Sequence, residues 1–168
     1  FAMDVASTES VQATINAIVN MIVNPALNPG LTWLVSGDMQ ATPLTGILID
    51  MTITCLVMST VIALFVTSGV KRGLGTGSIK ADDDAPSLGW LSRFPQAAWT
   101  LGLTLGFGFA IVLVPLTLGL FSLLGISELS FWSFVLFKMV YPGAIAFLVT
   151  KWIIVRQLEI YHLSPAIS

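Results

Sequence analysis

The chain has 168 residues, 55% of them hydrophobic and only 10% charged, with a formal net charge of −2. A soluble domain carries about 25% charged residues, so the deficit excludes an ordinary soluble fold and fits a polytopic membrane protein, because charge is kept out of hydrocarbon. The small net charge argues against nucleic-acid binding. One cysteine, Cys55, and one histidine, His162, exclude intrachain disulfides, Cys-based metal sites and His clusters.

Residues 1–9 hold only the charges Asp4 and Glu9 and do not read as a secretory signal, which opens on a basic stretch. The first predicted span, 10–35, carries no charge but contains Asn16, Asn20, Asn24, Asn28, Pro25 and Pro29. It is the most polar of four predicted spans, and its alternative is an amphipathic helix lying on the membrane surface. A turn follows at 36–43. The second span, 44–70, stops at Lys71 and Arg72.

The segment 71–96 holds Gly73, Gly75, Gly77, Asp82, Asp83, Asp84, Pro86 and Gly89, the chemistry of a flexible loop. Its glycines lack the Walker spacing of a phosphate cradle, and no strand precedes them. Residues 94–127 then pass without one Asp, Glu, Lys, Arg or His. A crossing helix needs about 20 mostly apolar residues, so the third span at 97–124 has length to spare. The fourth, 129–155, stops at Arg156 and is joined to the third through 125–128, a link short enough to predict an antiparallel hairpin. The expected architecture is an all-α membrane protein, a four-helix transmembrane bundle forming one domain over 1–168 with a flexible loop at 71–96. The alternative is three spans plus one interfacial amphipathic helix.

Orientation follows from the basic residues. Lys71, Arg72, Lys80 and Arg93 lie in the long loop, and Lys151 and Arg156 lie at the end of the fourth span. The positive-inside rule places that loop and the C-terminus in the cytoplasm. Trp33 and Trp132 then fall at the outer ends of the first and fourth spans, and Trp90, Trp99 and Trp152 near the inner face. Indoles prefer both interfaces, so the five tryptophans read as interfacial anchors.

Polar groups within the spans supply the candidate site. Asn16, Asn20, Asn24 and Asn28 recur at spacing four, which places their amides on one slowly winding helical stripe. Lipid cannot satisfy them, so they are expected to bond to neighbouring helices, with a hydrated path as the alternative. Asp50 lies about 9 Å into the second span and Lys138 about 13 Å into the fourth, counted from the same side. An intramembrane ionisable residue is a functional hypothesis by default. The predicted pair is Asp50–Lys138, bracketed by Asn24, Asn28 and Thr54 with Tyr141 close by. Its favoured role is to fix helix register, and its alternative is a proton- or ion-coupled site. Gly102, Gly106 and Ala110 follow one another at spacing four and read as a close helix-packing face. Pro115 and Pro142 are expected to kink the third and fourth helices. Asn24-Pro25-Ala26 spells the aquaporin tripeptide, but one copy in so few spans reads as chance.

Val-Asn-Pro-x-x-Asn (Asn24, Pro25, Asn28), Pro-Leu-x-Gly with Asp50 in the next span, and Leu-Ser-Phe-Trp-Ser-Phe-Val-Leu-Phe-Lys (Phe131, Trp132, Lys138) together carry a resemblance. The chain resembles small uncharacterised bacterial polytopic membrane proteins, a family of hypothetical proteins with no known activity. That resemblance implies a bacterial inner membrane and no reaction. From the residues themselves, no nucleophile–base pair or metal-ligand set can be assembled, so neither an enzyme, a metal nor a cofactor is expected. The function expected is that of a non-enzymatic subunit or accessory component of a homo-oligomeric or larger membrane assembly, with the lipid bilayer and other membrane subunits as partners. The alternative is a small channel or transporter moving an ion, proton or small solute along the Asn/Asp/Lys seam.

Overall fold

A computed structural model describes residues 5–30, 33–34, 40–76 and 93–163. Four helices account for almost all of them: α1 (Val5–Pro25), α2 (Leu44–Gly75), α3 (Ala98–Leu123) and α4 (Phe131–Leu163). Among the described residues, three helices are long and apolar enough to cross a membrane, namely α2, α3 and α4 up to Leu158. Helix α1 is not one of them, which corrects the expectation of four spans. The reason lies in its composition. Gln12, Thr14, Asn16, Asn20 and Asn24 dilute its apolar residues, and at Pro25 the α-helix gives way to a π turn, Ala26–Gly30, around Pro29. A proline cannot donate the i→i−4 bond, and a wider turn carries the chain past that position.

The helices pack in the order α1–α4–α2–α3, with α2 and α4 at the centre. Helices α2 and α4 run parallel, since Asp50 meets Lys138 and Cys55 meets Tyr141. Helix α1 runs against α4: Asn16 bonds to Thr150, and Met21 packs beside Gly143. The predicted hairpin of the third and fourth spans takes an unexpected form. The backbone of α3 packs on α2 rather than on α4. Helices α3 and α4 meet through rings, Phe121 with Phe137 and Phe109 with Trp152, each at 6.0 Å between centroids.

The connection itself is well defined. Gly125 has φ +68°, the left-handed conformation that only glycine adopts without strain. Gly125 N–H donates to the Ser122 carbonyl and Ile126 N–H to the Phe121 carbonyl, the two bonds of a Schellman cap. Just beyond, Glu128–Leu129 (β2) pairs antiparallel with Thr42–Pro43 (β1), and Leu44 N–H donates to the Ser127 carbonyl. This short ladder clamps the start of α2 to the α3–α4 turn. Both α3 and α4 remain continuous through Pro115 and Pro142.

At the opposite end, Arg156 of α4 is buried and donates through Nη2 to the carbonyls of Phe94, at 2.7 Å, and Pro95, at 2.5 Å. The sequence reads this arginine as a flanking stop charge. It instead holds the residues that lead into α3. The end of α2, the start of α3 and the end of α4 therefore share one end of the fold, which gathers Lys71, Arg72, Arg93, Lys151 and Arg156.

Candidate functional site: a polar seam between α2 and α4

Lys138 is buried, 2% exposed, and among the described cations of the spans only Arg156, at 1%, is more enclosed. Lys138 Nζ lies 2.6 Å from Asp50 Oδ2 and 3.1 Å from Thr54 Oγ1. Asp50 and Thr54 stand one turn apart on α2, so one ammonium spans two rungs of the neighbouring helix. A charge in an apolar interior is tolerated when paired and hydrogen-bonded. Asp50 is 15% exposed, so the pair opens slightly on the acid's side.

Tyr141 extends the cluster one turn along α4. Its ring stacks on Phe137 at 5.4 Å and 4°. Its hydroxyl lies 3.1 Å from the Met51 carbonyl and 2.6 Å from Cys55 Sγ. A phenol has one proton to give. With that proton on the Met51 carbonyl, Cys55 S–H becomes the donor to Tyr141 Oη. Two groups of α4, an ammonium and a phenol, thus grip four groups of α2: Asp50, Met51, Thr54 and Cys55.

The asparagines form a second, separate seam. Asn16 Nδ2 donates to Thr150 Oγ1 at 2.8 Å, across to α4, where Thr150 is fully buried. Gln12 donates to Asn16 Oδ1 at 3.4 Å. Asn20 returns its amide to the Asn16 carbonyl, and Asn24 donates to both the carbonyl and side-chain oxygen of Asn20. Asn24 also reaches α2, but at Met58 Sδ, 3.7 Å away, not at Asp50. The expectation that Asn24 brackets the ion pair is therefore corrected. Its depth is counted from a helix end at residue 35, whereas α1 ends at Pro25. The side chain of Asn28 lies outside the described residues. Replacing Asn16 with Leu removes the cross-helix bond and leaves Thr150 without it. We expect a loss of about 0.6–1.7 kcal/mol, read as the shift in detergent-induced unfolding relative to wild type and to the Thr150→Val/Asn16→Leu double variant.

Gly102 and Gly106 meet α2 at very close range. A Cβ on Gly102 would stand 2.5 Å from Thr60 Cα and 2.9 Å from the Ser59 carbonyl oxygen. One on Gly106 would stand 2.7 Å from the Cys55 carbonyl oxygen and 2.9 Å from Leu56 Cα. Ala110, next at the same spacing, is buried in the shared core. The facing surface was not singled out from the sequence. Cys55, Ser59, Ala63 and Thr67 also recur at spacing four, and all are buried. Four different residue types conceal what they share, which is small size. Thr150 escapes sequence reasoning for a related reason: a threonine is unremarkable in type, and burial alone marks it out.

Among the tryptophans, Trp33, Trp99, Trp132 and Trp152 are exposed, and Trp90 lies outside the described residues. Trp132 and Trp152 are separated by about 30 Å of helix, the thickness of a bilayer's hydrocarbon core.

Comparison with protein-family models, curated proteins and solved structures finds no match. The seam's own geometry is what bears on function. Among the described residues, no group of His, Cys, Asp or Glu is arranged to hold a metal ion.

Proposed function

We propose that this protein is a non-enzymatic integral membrane protein that works as a subunit or accessory component of a homo-oligomeric or larger membrane assembly. The observation that carries the reading is the closure of the seam. Lys138 is enclosed and bonded to Asp50 and Thr54, and Asn16 is bonded to Thr150, so the ammonium, its carboxylate and one amide of α1 are committed to neighbouring helices. A conducting pathway needs polar groups presented to water. These serve instead to fix the register and spacing of α1, α4 and α2.

The outer surface supports the assembly reading. The α3 span is 28% buried by its own chain, against 44% for α2 and for α4. Gly108 and Gly119 on α3 face open space, where a Cβ would meet nothing within 4 Å. Small residues on an uncovered transmembrane face let a second helix approach closely. The basic residues gathered at one end support placing that end on the cytoplasmic side, in the bacterial inner membrane that the resemblance implies. Helix α1, packed along α4, then completes a four-helix bundle as an accessory, more polar member.

The test is the mass of the purified protein in a mild nonionic detergent by light scattering with detergent subtraction. Assembly predicts a protein mass that is a multiple of 18.0 kDa, falling to the monomer in Gly108→Leu or Gly119→Leu. A wild-type monomer that conducts ions or protons in liposomes, with conduction abolished by Asp50→Asn, would replace this reading by the transport alternative.

A further inference from the structure

Helix α2 presents a stripe that neither α3 nor α4 covers, with Leu64, Phe65, Ser68, Gly69 and Arg72 around a groove of about 410 Å³. Phe65 is 75% exposed, and Gly69 leaves a gap where a Cβ would touch nothing within 4 Å. Ser68 turns its hydroxyl back to the Leu64 carbonyl at 2.8 Å, so the floor offers no competing polar group. One side is apolar and the far end is a guanidinium, with exposed Lys71 beside it.

The depth of the groove follows from helix register. Asp50 and Lys138 are level, and α2 and α4 run parallel. Leu64 therefore stands about 21 Å beyond Asp50, level with Trp152 about 21 Å beyond Lys138. The groove begins at that interfacial tryptophan and ends at Arg72, about 12 Å further on, where headgroups lie. We propose that this end of α2 seats one anionic phospholipid, its phosphate on Arg72 and one acyl chain in the gap at Gly69 between Leu64 and Phe65. Arginine suits the role because its planar fork takes two phosphate oxygens at once. Two adjacent basic residues at an apolar groove complement a negative headgroup over a zwitterionic one.

The test uses the full chain in nonionic detergent, titrated with dioleoyl phosphatidylglycerol or dioleoyl phosphatidylcholine and read as lipid adducts by native mass spectrometry. The wild type is expected to bind phosphatidylglycerol the more tightly. Arg72→Gln should weaken that binding about fivefold, the effect of one basic residue at a membrane surface, and Arg72→Lys should retain part of it. Gly69→Leu keeps both charges but fills the groove, and should weaken phosphatidylglycerol binding as well. Leucine there meets open space, so folding is preserved, and unchanged unfolding of each variant verifies this. Equal binding of the two lipids by the wild type overturns the proposal. So does phosphatidylglycerol binding that survives Gly69→Leu, since Arg72 would then act only as a diffuse surface charge. A dimer that Gly69→Leu dissolves without altering lipid adducts overturns it too, in favour of a second copy of the chain in the groove.

Discussion

Replacing Lys138 with Met is expected to destabilise the protein by about 3–5 kcal/mol, the penalty for leaving one member of a buried ion pair behind. The residue left behind is Asp50, whose carboxylate oxygen lies 2.6 Å from the lysine nitrogen. Thr54 loses its ammonium donor in the same step. The double variant Asp50→Asn/Lys138→Met removes both charges, and a buried pair exchanged for neutral groups is often close to neutral in stability. We therefore expect the double variant to be clearly more stable than Lys138→Met alone, measured by unfolding in mixed micelles of increasing denaturing detergent. A double variant no better folded than either single one would mean that the two charges do not depend on each other.

The second large effect concerns Gly106. Replacing it with Ala puts a Cβ 2.7 Å from the Cys55 carbonyl oxygen and 2.9 Å from Leu56 Cα. Both are backbone atoms of α2, which no rotamer change can move aside. Overpacking a well-filled interface costs about 1–3 kcal/mol, occasionally more. This contact belongs at the upper end, with Leu at the same position worse than Ala. Gly75→Ala is the control, since this glycine is also helical and faces open space but lies outside the α3 face proposed for assembly. Alanine is favoured over glycine in a helix by about 0.8–1 kcal/mol, so the control is expected to hold or gain stability. Equal losses at the two positions would refute close α2–α3 packing.

The sequence made some of this legible for a physical reason. In runs as apolar as 44–70 and 129–155, the single acid Asp50 has few partners to choose from, and depth counting from the same side brings it to Lys138 rather than to Lys151 near the far end. The counting works because α2 begins at Leu44 and α4 at Phe131, close to where turn residues predict. It fails for Asn24 because nothing in the amide-rich segment fixes where α1 ends, and an error of ten residues moves a side chain several turns. The glycine face of α3 shows itself through repeated glycines, whereas its partner face on α2, Cys55-Ser59-Ala63-Thr67, hides behind varied residue types. Arg156 misleads in the opposite sense. A basic residue near a span's end usually signals water, yet here the guanidinium turns inward to the carbonyls of Phe94 and Pro95. Pairing of Thr42–Pro43 with Glu128–Leu129 depends on tertiary proximity, and two-residue strands carry no periodicity to read.

The native cysteine offers the most direct test of the closed seam. Cys55 is fully buried, with its sulfur 2.6 Å from Tyr141 Oη, directly beside the ion pair. In membrane vesicles opened to both faces, a charged methanethiosulfonate reagent should leave Cys55 unmodified and should label it fully once the protein is unfolded in denaturing detergent. A Cys55→Ser/Glu128→Cys variant, with its thiol on the exposed connection between α3 and α4, supplies the accessible reference. Labelling of Cys55 in the folded protein at the rate of that reference would place water in the seam and contradict the account.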